Sequence, residues 1–335
     1  MFFAFLFLLA TSLFAQESDL FEFKRFIVLP FGAYSEETGI VLGAGAMFFI
    51  KPGSNDVLAV TTSFKKQATI INRFFYETEH WNFLSYINLA SWPTQFFGVG
   101  NDLDENEYDV YTLKNIRIPL AFGTNFLLPK VFQGKLNYGL ETDWEYITFD
   151  NDWKNSQRVG IGYNLTYKST SKTDWPRQGS FVQFRHIFFN ANRFIWKNLD
   201  TRMYIPLPFL PEGVLALGSY LEDFDGDVPP DRLAQPDGVG QLRGLKKGLL
   251  ADKTSWVLQS ELRTHLFWRC KGTLFYEMAK VGKDIAELND NKWHNSIGIG
   301  GRFLVNKDSK THLRGDLSLI DWKKRGMAIQ INEAF

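Results

Sequence analysis

Cysteine is almost missing from this 335-residue chain. Cys270 stands alone, which excludes an intramolecular disulfide and any metal cluster built on cysteine. An excess of positive charge is missing too: 37 Lys and Arg balance 37 Asp and Glu. A neutral chain offers little to a phosphate backbone, so nucleic acid is not an expected partner. Beyond the N-terminus no run approaches the roughly 18 apolar residues of a membrane helix. Histidine is sparse, and His80, His186, His265, His294 and His312 fall on separate strands or turns without metal-ligand spacing. There is no phosphate-cradling glycine loop, and no Ser/His or Asp/His arrangement rises above background. No catalytic residue, metal or cofactor is therefore named, and the chain is not expected to be an enzyme.

Aromatic residues, by contrast, are abundant at 16%, with 32 Phe, 12 Tyr and 10 Trp. They suit either a rich core or the interfacial girdles of a membrane barrel. Residues Met1 to Ala15 are nearly all apolar and Gln16, Glu17, Ser18 and Asp19 follow directly. This pattern predicts a secretory signal peptide over 1–15, too short to be a membrane span. Two features depart from the usual signal: the leading residues carry no Lys or Arg, and Leu13 stands where a small residue is preferred.

From Arg25 onward the dominant period is two. Leu136, Tyr138, Leu140, Trp144 and Tyr146 fall on one face; Lys135, Asn137, Glu141, Asp143 and Glu145 fall on the other. Val159, Ile161, Tyr163, Leu165 and Tyr167 oppose Arg158, Asn164, Thr166 and Lys168 in the same way. Many of these runs exceed about ten residues, longer than the five or six usual in globular proteins. Whole charges sit in mid-strand, where a packed core would reject them and a wet lumen would accept them. The pattern predicts an all-β fold, a transmembrane antiparallel β-barrel of about sixteen strands over residues 25–335, after a short periplasmic lead at 16–24. Long connections at 91–106, 223–252 and 282–292 follow odd-numbered strands, and tight ones such as 51–55 follow even-numbered strands. Long external loops and short periplasmic turns are the outer-membrane arrangement, so the bacterial outer membrane is the expected location and its lipid an expected partner. The last strand ends with Ile329, Ile331 and Phe335 on one face, resembling the C-terminal signal by which such barrels are recognised for insertion.

The longest connection holds Gly238-Val-Gly-Gln-Leu242-Arg243-Gly244-Leu245-Lys-Lys-Gly248. Loops of this length are usually functional or disordered. On the strand that follows, Glu261 shares a face with Ser255, Gln259 and Arg263; on the next, Glu277 opposes Leu274, Tyr276 and Met278. Both carboxylates face the lumen, and an arginine brought inside could bond both through its planar fork. Taken alone, the loop fits equally a solvated external loop whose arginine meets only water. Pro30 and Gly32 interrupt the first strand, either as an ordinary kink or as a weak seam against the last strand.

These residues resemble the BamA/TamA-type outer-membrane assembly and translocation barrels, also called bacterial surface antigen barrels. Leu242-Arg243-Gly244-Leu245 looks like that family's arginine-glycine-aromatic loop tip, with Leu245 in place of the aromatic. Gln259-Ser-Glu261-Leu-Arg263, Gly272-Thr-Leu-Phe275-Tyr-Glu277 and Leu313-Arg314-Gly-Asp316 also match, as does the closing Glu333-Ala334-Phe335. Similarity is looser over Tyr34–Gly45, Phe96–Asp102 and Pro176–Gly179. The resemblance implies that the long loop folds into the lumen with Arg243 on wall acids, and that the seam at Pro30 and Gly32 is a lateral gate. It also implies insertion or translocation of a polypeptide or lipid client. The family usually carries periplasmic POTRA domains before the barrel, and 16–24 is too short for one, so a variant without them is expected, with a client polypeptide or a separate periplasmic protein as its partner. The alternatives are a structural or conducting pore that keeps the loop for its own folding, and, more weakly, a barrel hydrolase.

Overall fold

The computed structural model describes residues 26–35, 39–51, 54–63, 67–127, 134–170, 175–236, 240–306 and 311–331. The expected signal peptide and lead, Gly238 and Phe335 lie outside the described residues. The strands are β1 Phe26–Ser35, β2 Gly39–Lys51, β3 Ser54–Ser63, β4 Ala68–Glu77 and β5 Trp81–Phe96. Then come β6 Asp109–Leu127, β7 Lys135–Phe149, β8 Ser156–Lys168, β9 Gly179–Phe189, β10 Phe194–Leu207 and β11 Gly213–Asp225. The last five are β12 Thr254–Phe267, β13 Cys270–Gly282, β14 His294–Asn306, β15 Thr311–Ile320 and β16 Lys324–Ile331, with a one-turn helix α1 at Glu287–Asp290. All sixteen follow chain order in one sheet. The pairs from β1 to β6 and from β9 to β16 are antiparallel. No helix among the described residues is long and apolar enough to cross a membrane, so any crossing is made by strands.

The chain divides into two compact units. The first holds residues up to Phe96 with Asp109–Thr124 and Gly139–Ile161. Here alternation leaves Leu58, Val60, Ile70, Phe122, Leu140 and Ile161 exposed on one face. The opposite face carries charge: Arg117 Nη2 meets Asp143 Oδ2 at 2.6 Å and Arg117 Nε meets Glu145 Oε1 at 2.9 Å, both acids being buried. Soluble proteins rarely expose so continuous an apolar face, because water disfavours it by about 25 cal/mol per Å². Lipid covers it without that penalty.

The second unit holds Phe97–Tyr108, Asn125–Tyr138 and everything from Gly162 onward. Leu274, Ile299 and Leu317 are exposed on its apolar face, while the other face buries Glu261, Glu277, Arg302, Arg314 and Asp316. Its long loop, 226–253, begins with a short 3-10 turn at Pro230–Arg232 and is stitched by bridges Ala234↔Asp252 and Gly100↔Ala251.

One expectation shifts. The 91–106 connection shortens to 97–108 because β5 continues through Pro93, opposite Thr112, to Phe96. Proline signals a strand end in sequence, yet a ladder tolerates it where no N–H is called for. Trp175, between β8 and β9, is buried.

Candidate functional site: an arginine-tipped loop on a charged sheet face

The wall of the site is fixed by register. Gln259 stands opposite Glu277, Glu261 opposite Phe275, Glu277 opposite Ser296, Gly298 opposite Ser318 and Gly300 opposite Asp316. Directly opposed residues share a face, so four strands contribute to one surface. In the middle of β14 that surface carries only Ser296, Gly298 and Gly300. The missing bulk leaves room for large side chains arriving from elsewhere. A Cβ added to Gly300 would lie 2.6 Å from Thr273 Oγ1 and closer still to Asp316 and Arg302.

The loop tip fills this space. Leu242 is fully buried with Leu250, Val257, Ala279 and Val281, and Tyr220 and Leu245 pack against them. Leu245 N–H donates to Leu242 O at 3.1 Å, closing a turn in which Gly244 takes φ +84°. That left-handed position favours glycine. A Cβ there would also sit 2.8 Å from Gly326 Cα and nearer to Ser318 Oγ. Loop tip and last strand therefore touch backbone to backbone.

Arg243, with no exposed surface, is held through its backbone and through two of its side-chain nitrogens. Its Nε donates to Glu277 Oε1 and its backbone N–H to Glu277 Oε2, both at 2.7 Å. Nη1 donates to Glu261 Oε2 at 2.7 Å and more loosely to Asp316 Oδ2 at 3.4 Å. Its carbonyl accepts from Ser296 Oγ at 2.7 Å and Ser318 Oγ at 2.9 Å. The guanidinium carbon lies 3.5 Å from the centre of the Phe275 ring, a contact worth about 2 kcal/mol when water is excluded. Gln259 Nε2 donates to Glu277 Oε1 and to the carbonyls of Gly240 and Gln241, fastening the approach to the tip.

The acids have further partners. Arg263 Nε donates to Glu261 Oε1 at 2.8 Å, Arg302 Nη2 to Glu261 Oε2 at 3.2 Å and Arg302 Nη1 to Asp316 Oδ1 at 2.5 Å. Arg314 Nε lies 3.2 Å from Asp316 Oδ2. Buried ions are tolerated only when mutual attraction and hydrogen bonds replace lost hydration, which shared carboxylates accomplish here. The arrangement positions a loop firmly; it presents no nucleophile beside a base.

Arg243 thus lies with Glu261 and Glu277, and Leu242, Gly244 and Leu245 lie beside it. Pro30 and Gly32 are in β1 of the first unit, opposite Ala44 and Leu42 of β2. Ile329 and Ile331 are in β16, opposite Gly315 and Leu313. Sequence reasoning did not assign Asp316, Arg302, Arg314 or Phe275 to the cluster. Phe275 carried a signal, being an aromatic on the wet face of its strand between Thr273 and Glu277.

Replacing Arg243 with alanine strands the buried carboxylate of Glu277 and takes one partner from Glu261, a loss of about 3–5 kcal/mol. Arg243→Ala should lose its heat-resistant gel mobility in detergent at lower temperature than the parent. Arg243→Lys should fall between them, since an ammonium cannot span two carboxylates as a guanidinium does. Parental heat resistance in Arg243→Ala would show that the cluster does not hold the fold.

Backbone contact at Gly326 gives a second expectation. Gly326→Ala should raise protease cleavage within 240–253, whereas Gly315→Ala, with nothing within 4 Å of its new methyl, should not. Equal cleavage in the two variants would remove Gly326 as the seat of the tip.

No protein-family model matches the chain, and neither does any curated protein. Solved structures do. BamA from Haemophilus ducreyi lacking POTRA domains 1-3 aligns with a TM-score of 0.60 at 14% identity, covering 91% of this chain and 68% of that one. CdiB from Acinetobacter baumannii aligns with a TM-score of 0.59 at 12% identity over 90% of this chain. This chain spans 57% of CdiB's length. At such identities the likeness concerns the fold. That fold is an antiparallel β-barrel like those of BamA and CdiB, with the loop between β11 and β12 seated on the charged face of β12–β16.

Proposed function

We propose that this protein is an outer-membrane assembly or translocation factor that passes a polypeptide or lipid client. In this reading residues 1–15 direct export, 16–24 form a periplasmic lead, and the barrel over 25–335 does the work beside outer-membrane lipid. A separate periplasmic protein would deliver the client. The end strands of the sheet, β1 with Pro30 and Gly32 and β16 with Ile329 and Ile331, would form the seam that admits it. The observation that carries the reading is the Arg243 cluster. A simple pore gains nothing from a loop tip fastened through backbone and side chain to four strands. A barrel that must open at one edge without collapsing needs such a brace. The resemblance of Leu242–Leu245, Glu261, Glu277 and Asp316 to the assembly barrels points the same way.

A structural or conducting barrel is the competing reading. It is favoured by one observation: Arg243 is completely buried and bonded to β12, β13, β14 and β15, a joint that would serve the folding of the barrel itself.

Depleting the protein in cells should lower the amounts of other outer-membrane β-barrel proteins or of surface-exposed lipid. Unchanged levels of both would refute the assembly reading. In planar bilayers the purified protein should conduct weakly, and deletion of 226–253 should raise the conductance. A large conductance in the parent that deletion leaves unaltered would favour the pore.

A further inference from the structure

We infer that His294 is a proton-operated clasp that fastens the 97–108 segment over the returning limb of the Arg243 loop. His294 opens β14 and is buried. Its Nδ1 lies 2.7 Å from Asp321 Oδ2 and its Nε2 lies 2.6 Å from the backbone carbonyl of Asn101. A backbone carbonyl can only accept. Asp321, in the turn between β15 and β16, is an acceptor as well. Burial alone would raise its pKa, but the Asn295 N–H, His294 and the charge of Lys292 outweigh burial and hold it below the ordinary carboxylate range. Two acceptors on two ring nitrogens require two N–H groups, and only the imidazolium has both.

Asn101 is the strap's point of attachment. Its Nδ2 donates to Lys292 O at 2.8 Å and its Oδ1 accepts from Val281 N–H at 2.7 Å. Next to it, Gly100 N–H donates to Ala251 O at 2.7 Å and Ala251 N–H donates back at 3.2 Å. Farther along, Lys246 Nζ lies 4.9 Å from the Phe97 ring centre and 5.0 Å from that of Tyr108. The 97–108 segment thus grips 246–251 at two places and is anchored to β13, β14 and the β15–β16 turn around His294.

Loss of one proton leaves a ring with one N–H. Whichever bond is kept, the other nitrogen turns a lone pair toward an oxygen at hydrogen-bond distance. The clasp is therefore made by the doubly protonated ring and undone when one proton leaves. Among the described residues, the charged groups facing this node are Asp321 from the β15–β16 turn and Lys292 from the segment before β14. Lys280 on β13 is engaged elsewhere, with Leu288 O and with the Trp293 ring at 4.5 Å. Imidazole is the side chain that ordinarily changes charge between about pH 5 and 8, so a segment of the long-loop end would respond to external acidity. The clasp does not depend on what the barrel passes.

The experiment is hydrogen exchange on the folded, full-length protein in phospholipid vesicles at steps from about pH 5 to 8. It is read at peptides covering 97–108 and 246–253, corrected for the intrinsic pH dependence of exchange. Protection should fall about tenfold across the titration, as loss of one bond to a charged group implies. In His294→Gln it should stay level. Constant protection in the parent, or the same pH response in His294→Gln, would overturn the clasp. Should that variant fail to assemble, nitrogen NMR of the histidine-labelled parent gives an independent answer. One imidazole should carry both protons throughout the pH range in which the strap is protected. If every imidazole is singly protonated there, His294 is not the fastener.

Discussion

A guanidinium withdrawn from water must find carboxylates in fixed positions, and the second unit of this protein is built to supply them. Three acids on β12, β13 and β15 converge on Arg243, and two of them are shared with Arg263, Arg302 and Arg314. The small residues of β14 make sense only in this light. Ser296, Gly298 and Gly300 lower the wall so that Arg243 can stack on Phe275 and reach its partners. The burial of Leu242, the left-handed turn at Gly244 and the Gly326 contact all serve to deliver the same side chain.

How much of this could be read from residues depended on the range of the signal. Alternation is local, so β12 was expected at 253–266 and lies at Thr254–Phe267. The same parity put Glu261 and Glu277 on one face of neighbouring strands, and the resemblance to the assembly barrels placed Arg243 between them. Asp316 was harder. Its strand lies two beyond Glu277 in the sheet order, and nothing in a period of two says how far a loop reaches across strands. Pro93 misled for a different reason. It marks a turn only if the ladder needs its N–H, and the partner strand decides that. Gly326 gave no warning, because a glycine in a short terminal strand has the same appearance whether or not a loop rests on it.

The two units handle lumenal charge differently. In the first, Arg117 remains about one-third exposed while bridging Asp143 and Glu145, and solvent moderates such a pair. In the second, the corresponding groups are sealed beneath the loop. Local acids and bases line a wet surface in one case and form a dry joint in the other. The difference lies in what covers them rather than in the composition of the strands.

The contact between Gly244 and Gly326 also sets an order of events during folding. Ser318 and Arg243 are 75 positions apart, and their bond waits on chain that is synthesised long after the loop. Contacts so distant close late, because the intervening chain must first be arranged. The loop cannot complete its seat until the final hairpin has been laid beside β14, for β15 and β16 supply part of the floor. Until then Glu277 and Glu261 lack a full set of partners and the tip has nowhere to rest. The seated arginine therefore records that the last strand has arrived.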